Sequence, residues 1–335
     1  MSSVNVIKAF WVIDFAGTVL GVILNILLFV IIFRTSQGKI QQYSYIFLIT
    51  AAGGVVQSVV EMVTAHQLIL KKGVLFVLPM GIERHFPNML VCFFFLHVWL
   101  AMLNIFVVAA QHKFRYAIIK STATTGGLLR DLFIVLVASL IISVPAGYGI
   151  VQTSTRNLAT EYLSMIDDGN DAKQLIMYTA DVRRDWGTMV FVYGGMIFGT
   201  ATVWLFAYYM YKSFSAVQGS RDATVSNRTI AMQREFAKSL VVQTINTAIF
   251  VMTPLFLICV ALALRWDYPL VGAGIMSPLN WLPAVNAIII ISMIKTYRNY
   301  IIKLFGKKQI LDASSTPIKT LSTFTTIPSA SKCPA

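Results

Sequence analysis

Ionisable and strongly polar side chains are scarce in the apolar stretches of this sequence, so each is a candidate for chemistry. Those within or at the ends of such stretches are Asp14, Asn25, Gln57, Glu61, His97, Asn104, Gln243, Asn246, Asn280 and Asn286. A polar group surrounded by hydrocarbon is retained where it binds, relays or bridges, because leaving it unsatisfied is costly. Asn25, Asn104, Asn246 and Asn286 are most simply read as hydrogen-bond bridges between helices, each contributing about 0.6 to 2 kcal/mol. Asp14 and Glu61 lie near helix ends, where they either reach water or meet a cationic ligand. His97 reads either as a satisfied interior histidine or as a ligand contact. The four histidines, His66, His85, His97 and His112, show no metal-ligand spacing. Cys92, Cys259 and Cys333 are too few and too scattered for a thiolate site or a disulfide framework. No metal and no cofactor is expected. The sequence also has no nucleophile motif, no Gly-rich phosphate loop and no paired carboxylates at matching depth, so an enzyme is not expected.

The elements that must position these residues are membrane-spanning helices. The chain is 57% hydrophobic and only 12% charged, with a mean hydropathy of +0.71, where soluble domains run about 25% charged. Apolar runs of roughly 20 residues, enough to cross about 30 Å of hydrocarbon, recur from end to end. They predict an all-α membrane protein, a seven-transmembrane helix bundle, with spans near 9–33, 43–65, 89–111, 131–151, 188–211, 239–264 and 270–294. Residues 1–8 form a short leading segment. Tyr297, Tyr300, Ile301, Leu304 and Phe305 recur at helical spacing opposite Lys295, Arg298, Lys303 and Lys307, which predicts an amphipathic helix 8 over 295–306 on the membrane surface. The Ser-, Thr- and Pro-rich stretch 307–335 cannot bury enough surface to fold and is expected to be disordered.

Seven spans put the termini on opposite sides, and basic residues decide which side is which. With the N-terminus outside and the C-terminus cytoplasmic, the inner segments hold 18 of the 27 Lys and Arg and four of the 14 acids, so the two sides carry about +14 and −1. The net charge of +13 is therefore a topology signal and not a nucleic-acid footprint, since no single basic patch with interleaved aromatics exists. The sequon Asn227-Arg228-Thr229 then falls on the cytoplasmic side, out of reach of glycosylation. The longest outer loop, Gln152 to Gly187, is polar and acidic around Asp167, Asp168 and Asp171 and holds no cysteine for a disulfide to helix 3.

Within the spans, Pro145, Pro254, Pro278 and Pro283 can kink helices 4, 6 and 7. A helix broken near its middle can swing one half as a lever when a ligand biases it. The aromatic supply toward the outer half, Phe93, Phe94, Trp99, Phe191, Tyr193 and Trp281, suits a pocket for an apolar molecule and equally an aromatic belt facing lipid. The expected ligand pocket comprises Phe94, His97, Asn104, Tyr193, Asn246 and Trp281. Helix 7 has no lysine between Leu270 and Ile294, which excludes a retinal Schiff base there.

Four passages resemble the nematode seven-transmembrane chemoreceptors of the Str superfamily, most closely the Str and Srd groups. Gly21 and Asn25 lie in helix 1 before a brief basic loop. Phe114-Arg115-Tyr116 is similar to the family's aromatic-Arg-Tyr element. Asn227-Arg228-Thr229, Met232-Gln233, Leu240, Gln243-Thr244 and Pro254 resemble its approach to helix 6, and Tyr297-Arg298 its terminal Tyr-Arg after helix 7. Thr247, where many relatives have proline, and the stretch Pro278–Pro283 depart from the pattern. The resemblance implies a bundle of G-protein-coupled-receptor type and a chemosensory, olfactory function. It implies a small-molecule odorant or other chemical cue as ligand, a heterotrimeric G protein and membrane lipid as partners, and the plasma membrane of a sensory cilium as location. It also places Arg115 at the G-protein face, an inner surface expected to be completed by Tyr116, by Arg228, Arg234 and Lys238 of the basic third loop, and by Tyr297 and Arg298 of helix 8. A ligand-gated ion channel or a membrane transporter is the alternative.

Overall fold

A computed structural model describes residues 3–35, 41–86, 89–120, 123–155, 178–181, 186–219, 227–267 and 269–310. Seven of its helices are long and apolar enough to cross a membrane. In chain order they are α1 (Ser3–Thr35), α2 (Gln41–Thr64), α3 (Leu90–Ile119), α4 (Thr125–Thr155), α5 (Trp186–Gly219), α6 and α7 (Pro269–Met293). The sixth, α6, runs Asn227–Thr247, passes through a π turn at Ala248–Met252 and resumes as Thr253–Ala263. A further helix, α8 (Lys295–Ile310), follows α7 after a break at Ile294. A chain with no water to satisfy its amides must bond them internally, and the helix does this within one segment.

Several helices run past their apolar stretches. α3 continues through Tyr116 to Ile119, and α5 and α6 add polar turns at the ends that face α8. Hydropathy marks where lipid begins and ends, whereas the backbone ladder carries on into the polar boundary. α8 likewise continues to Ile310, so the stretch expected to be disordered begins inside it, and residues 311–335 lie outside the described residues. So does most of the long loop, 156–177 and 182–185.

α7 packs against α1, α2 and α6, while α3 packs against α2, α4 and α5. The flanks of α4 and α5 expose Phe133, Ile141, Ile197 and Trp204, each well over half accessible. An apolar skin of this kind is stable only against hydrocarbon or another apolar surface.

Sheet structure was not expected and is present. α2 ends at Thr64, Ala65 turns the chain with φ of 43°, and β1 (His66–Lys71) pairs antiparallel with β2 (Val74–Pro79), which pairs with β3 (Tyr178–Asp181) from the long loop. Lys72 and Gly73 form the two-residue turn with φ of 52° and 79°, the left-handed pair that matches the twist of a hairpin. The sheet caps the bundle at the end opposite α8. It sits close to α7, where a Cβ added at Gly272 would come within 2.6 Å of the Leu68 carbonyl oxygen.

Candidate functional site

Successive residues of a strand point to opposite faces, and β1 uses this to serve two sides of the bundle. His66, Leu68 and Leu70 share one face, and the two leucines join Leu75, Val77, Phe94, Val98, Val192 and Ile258 in a core with α3, α5 and α6. Gln67 points the other way, and its amide donates to Asp14 of α1 at 2.8 Å. Ser277 of α7 donates to the same carboxyl, which Asn280 also hydrogen-bonds. Asp14 is thereby held by α1, α7 and the strand, and it does not reach water.

Two further acids lie buried on the His66 side. Glu61 of α2 is 3.0 Å from His97 Nδ1 of α3, and Glu83, in the single turn Ile82–His85, is 2.6 Å from His66 Nε2. The two imidazoles are edge to face with centroids 5.0 Å apart, and His66 also meets the Phe94 ring at 5.6 Å. Burial, with the charge of Glu61 adding to it, pushes the Glu83 carboxyl up to about 8 from its ordinary 4.5. Burial, reinforced by His97, pushes His66 well below its ordinary 6.5. Near neutral pH the His66–Glu83 contact is therefore an uncharged imidazole against a carboxyl that is largely protonated, which suits a site closed to water.

Below this cluster lies a chamber of about 310 Å³ bounded by α3, α5 and α6. Its lining is apolar, including Phe94, Met102, Ile105, Val192, Met196 and Ile258, and it approaches the flank of the bundle at the exposed Val203 and Phe256. Ala248, Met252 and Thr253 also line it, so the π turn of α6 forms part of its wall. The turn has a local cause. Pro254 would press its ring on the carbonyl four residues back, and the widened turn relieves this, with the Thr253 N–H bonding the Ala248 carbonyl instead. A second, smaller cavity of about 50 Å³ adjoins it and is lined by His66, His97 and Asn280 among apolar residues.

Of the six residues expected to form the pocket, the structure brings Phe94 and His97 to a cavity wall. Asn104 donates to Gln57 of α2 and Asn246 to Asn286 of α7, each at 2.8 Å, so these amides bridge helices instead of lining a cavity. Asn25 ties α1 to the Pro283 carbonyl at 3.0 Å. Trp281 packs on α1, where a Cβ at Gly17 would lie 2.9 Å from its indole. Tyr193 is 48% exposed on the flank of α5. At the α8 end, Arg234, Lys238 and Arg298 are exposed, and Tyr116 is half-buried. Arg115 and Tyr297, expected at a partner surface, are instead fully buried, and the Arg228 side chain lies outside the described ones.

Four members of the cluster were missed in the sequence: His66, Gln67, Glu83 and Ser277. The available signal was Lys72-Gly73 between two short β-rich runs, which fixes a hairpin and with it the faces of His66 and Gln67. Among the described residues no group of His, Cys, Asp and Glu has the arrangement of a metal site.

The fold resembles that of squid rhodopsin in its crystal structure, with a TM-score of 0.61 at 12% identity, over 95% of this chain and 90% of that one. At that identity the likeness shows the fold alone. No curated protein matches the sequence. Residues 11–302 match the family described as serpentine type 7TM GPCR chemoreceptor Str, a stretch that runs from within α1 past the end of α7, and this multi-pass membrane protein belongs to that family.

Proposed function

We propose that this receptor binds a small, largely apolar chemical cue in the chamber between α3, α5 and α6 and passes the signal to a heterotrimeric G protein at the α8 end. The observation that carries this reading is the position of the π turn, Ala248–Met252, in the chamber wall. A π turn is a weak point in a helix. A ligand that packs better against one arrangement of it than another shifts the population of the whole of α6.

The charge distribution supports a topology with the hairpin end outside and the α8 end in the cytoplasm. The plasma membrane of a sensory cilium is the location that the family and a chemosensory role suggest, and olfaction in a nematode is the setting. At the inner end, Tyr116, Arg234, Lys238 and Arg298 are accessible to a partner. His112 Nε2 lies 2.5 Å from Thr244 Oγ1 and ties α3 to α6. Outward movement of α6 breaks this tie and opens the end where Arg115 and Tyr297 are buried.

The test is a current and calcium recording from cells expressing the chain during a panel of small volatile molecules, with and without a non-hydrolysable GDP analogue in the pipette. Responses abolished by the analogue, and largely lost in Arg115→Ala at equal surface expression, are expected. Fast currents that persist with the analogue present overturn the reading in favour of a ligand-gated channel.

A further inference from the structure

We infer that the ligand carries, at one end of its apolar body, a single uncharged oxygen-bearing head, a hydroxyl or a carbonyl, and that His66 hydrogen-bonds this head in the smaller cavity. This rests on the chamber as the place where the body binds.

The two cavities share Leu75, Phe94, Met102, Leu255 and Ile258 in their walls, so they adjoin along a common apolar boundary. They differ in size and in chemistry. The chamber of about 310 Å³ takes a hydrocarbon body. The room of about 50 Å³ takes a group of a few atoms, since one water needs roughly 10–15 Å³ by this kind of measure. Three polar side chains face that small room: His66, His97 and Asn280.

His66 is the informative one. It is 5% exposed; its Nε2 has the Glu83 carboxyl at 2.6 Å, whereas its Nδ1 has neither an ion-pair nor a hydrogen-bond partner. Buried polar atoms in native proteins are nearly always satisfied, so an orphaned ring nitrogen in a cavity wall marks where a bound group completes the bond.

The neighbouring charges define the head as uncharged. Asp14 is engaged by Gln67 and Ser277, Glu61 by His97 and Glu83 by His66. An anionic head would lose its water and meet no lysine or arginine in the wall. An ammonium would lose its water and face two imidazoles and a carboxamide in return, with no carboxylate in the wall. A hydroxyl suits either tautomer of His66, because it both donates and accepts. A carbonyl needs the proton on Nδ1, the arrangement that follows when the Glu83 carboxyl donates to Nε2.

The experiment measures binding of octane, octanol, octanone, octylamine and octanoate to the full receptor in lipid nanodiscs. Octanol or octanone should bind roughly tenfold more tightly than octane, the gain of one buried hydrogen bond, and the amine and the acid more weakly than octane. In His66→Phe that preference should disappear while octane affinity stays within about twofold, because the ring volume is kept. The octanol-to-octane ratio on the unmodified protein needs no variant. Equal affinity for octane and octanol, a loss shared equally by both in His66→Phe, or octylamine as the tightest probe overturns the assignment of the head. Gly195 lines the chamber and has open space where a Cβ would stand, so Gly195→Leu should weaken every probe. If it weakens none while the oxygen-bearing probes still depend on His66, the chamber reading fails and the head contact stands alone.

Discussion

The two ends of this bundle are built from different materials. At the hairpin end, α1, α2, α3, α7 and the sheet enclose Asp14, Glu61, Glu83, His66 and His97 beside empty space. At the α8 end buried polar groups such as His112 and Arg115 are set among rings and aliphatic chains: Phe47 stacks on Phe236 at 5.4 Å and meets Tyr297 edge-on at 6.2 Å, within a cluster that includes Leu28, Ile31, Ile290 and Ile294. One end keeps polar groups at the cost of desolvating them, which is worthwhile where something must be recognised. The other is close-packed, and Arg115 is held inside it, which suits a surface that stays shut until it is driven open. The π turn of α6 lies between them and belongs to the wall of the larger cavity.

Removing one member of a buried pair is the most forceful way to break that contrast. His97→Leu leaves Glu61 buried and unmatched and should cost about 4 kcal/mol, seen as a large drop in melting temperature in nanodiscs. Glu61→Leu added to it should recover most of the loss, and failure to recover would show that the pair is not the unit. Next in size is the contact that seats the sheet. Gly272→Val forces a side chain against the Leu68 carbonyl and should cost about 3 kcal/mol. Gly126→Ala, with nothing near its added Cβ, should be neutral or stabilise by up to about 1 kcal/mol, so equal effects would remove the distinction.

At the α8 end, Thr244→Val removes the tie to His112 at about 1 kcal/mol and should raise ligand-independent signalling several-fold at equal surface expression. Unchanged basal signalling would mean that this tie does not hold the end shut. The smallest expected effect is a pH slope. Glu83 titrates near 8 when folded and near 4.5 when exposed, so the folded state holds the extra proton between those values and stability falls as pH rises through that range. His66, depressed when folded, adds the opposite trend below about 6.5 and leaves the interval from there to 8 to Glu83. Melting temperature should therefore decline by a few degrees across that interval, and Glu83→Gln should flatten the decline.

Much of the frame was legible in the order of the residues, for reasons that lie in the solvent. Lipid forces each crossing to be a run of about 20 apolar residues with its amides bonded internally, so seven spans could be counted from hydropathy, and the quoted motifs carried the family. The amides were legible in kind, since Asn25, Asn104, Asn246 and Asn286 had to bond across helices, but their partners were not. The hairpin was obscured because strands of six residues, buried on both faces, blend into an already apolar sequence. Only Lys72-Gly73 betrays the turn.

What the sequence by itself determined is the set of helices and the family, because both depend on composition and order along the chain. What only the tertiary structure decided is the site. Glu83 meets His66 and Gln67 meets Asp14 only after the sheet folds back over the bundle, and the alternation of one strand sends two adjacent residues to opposite sides. The same holds for the π turn, which exists because a proline ring must be accommodated inside a helix that its neighbours hold in place. The cavities are the space left when those constraints are met together, a property of packing that no local stretch of sequence contains.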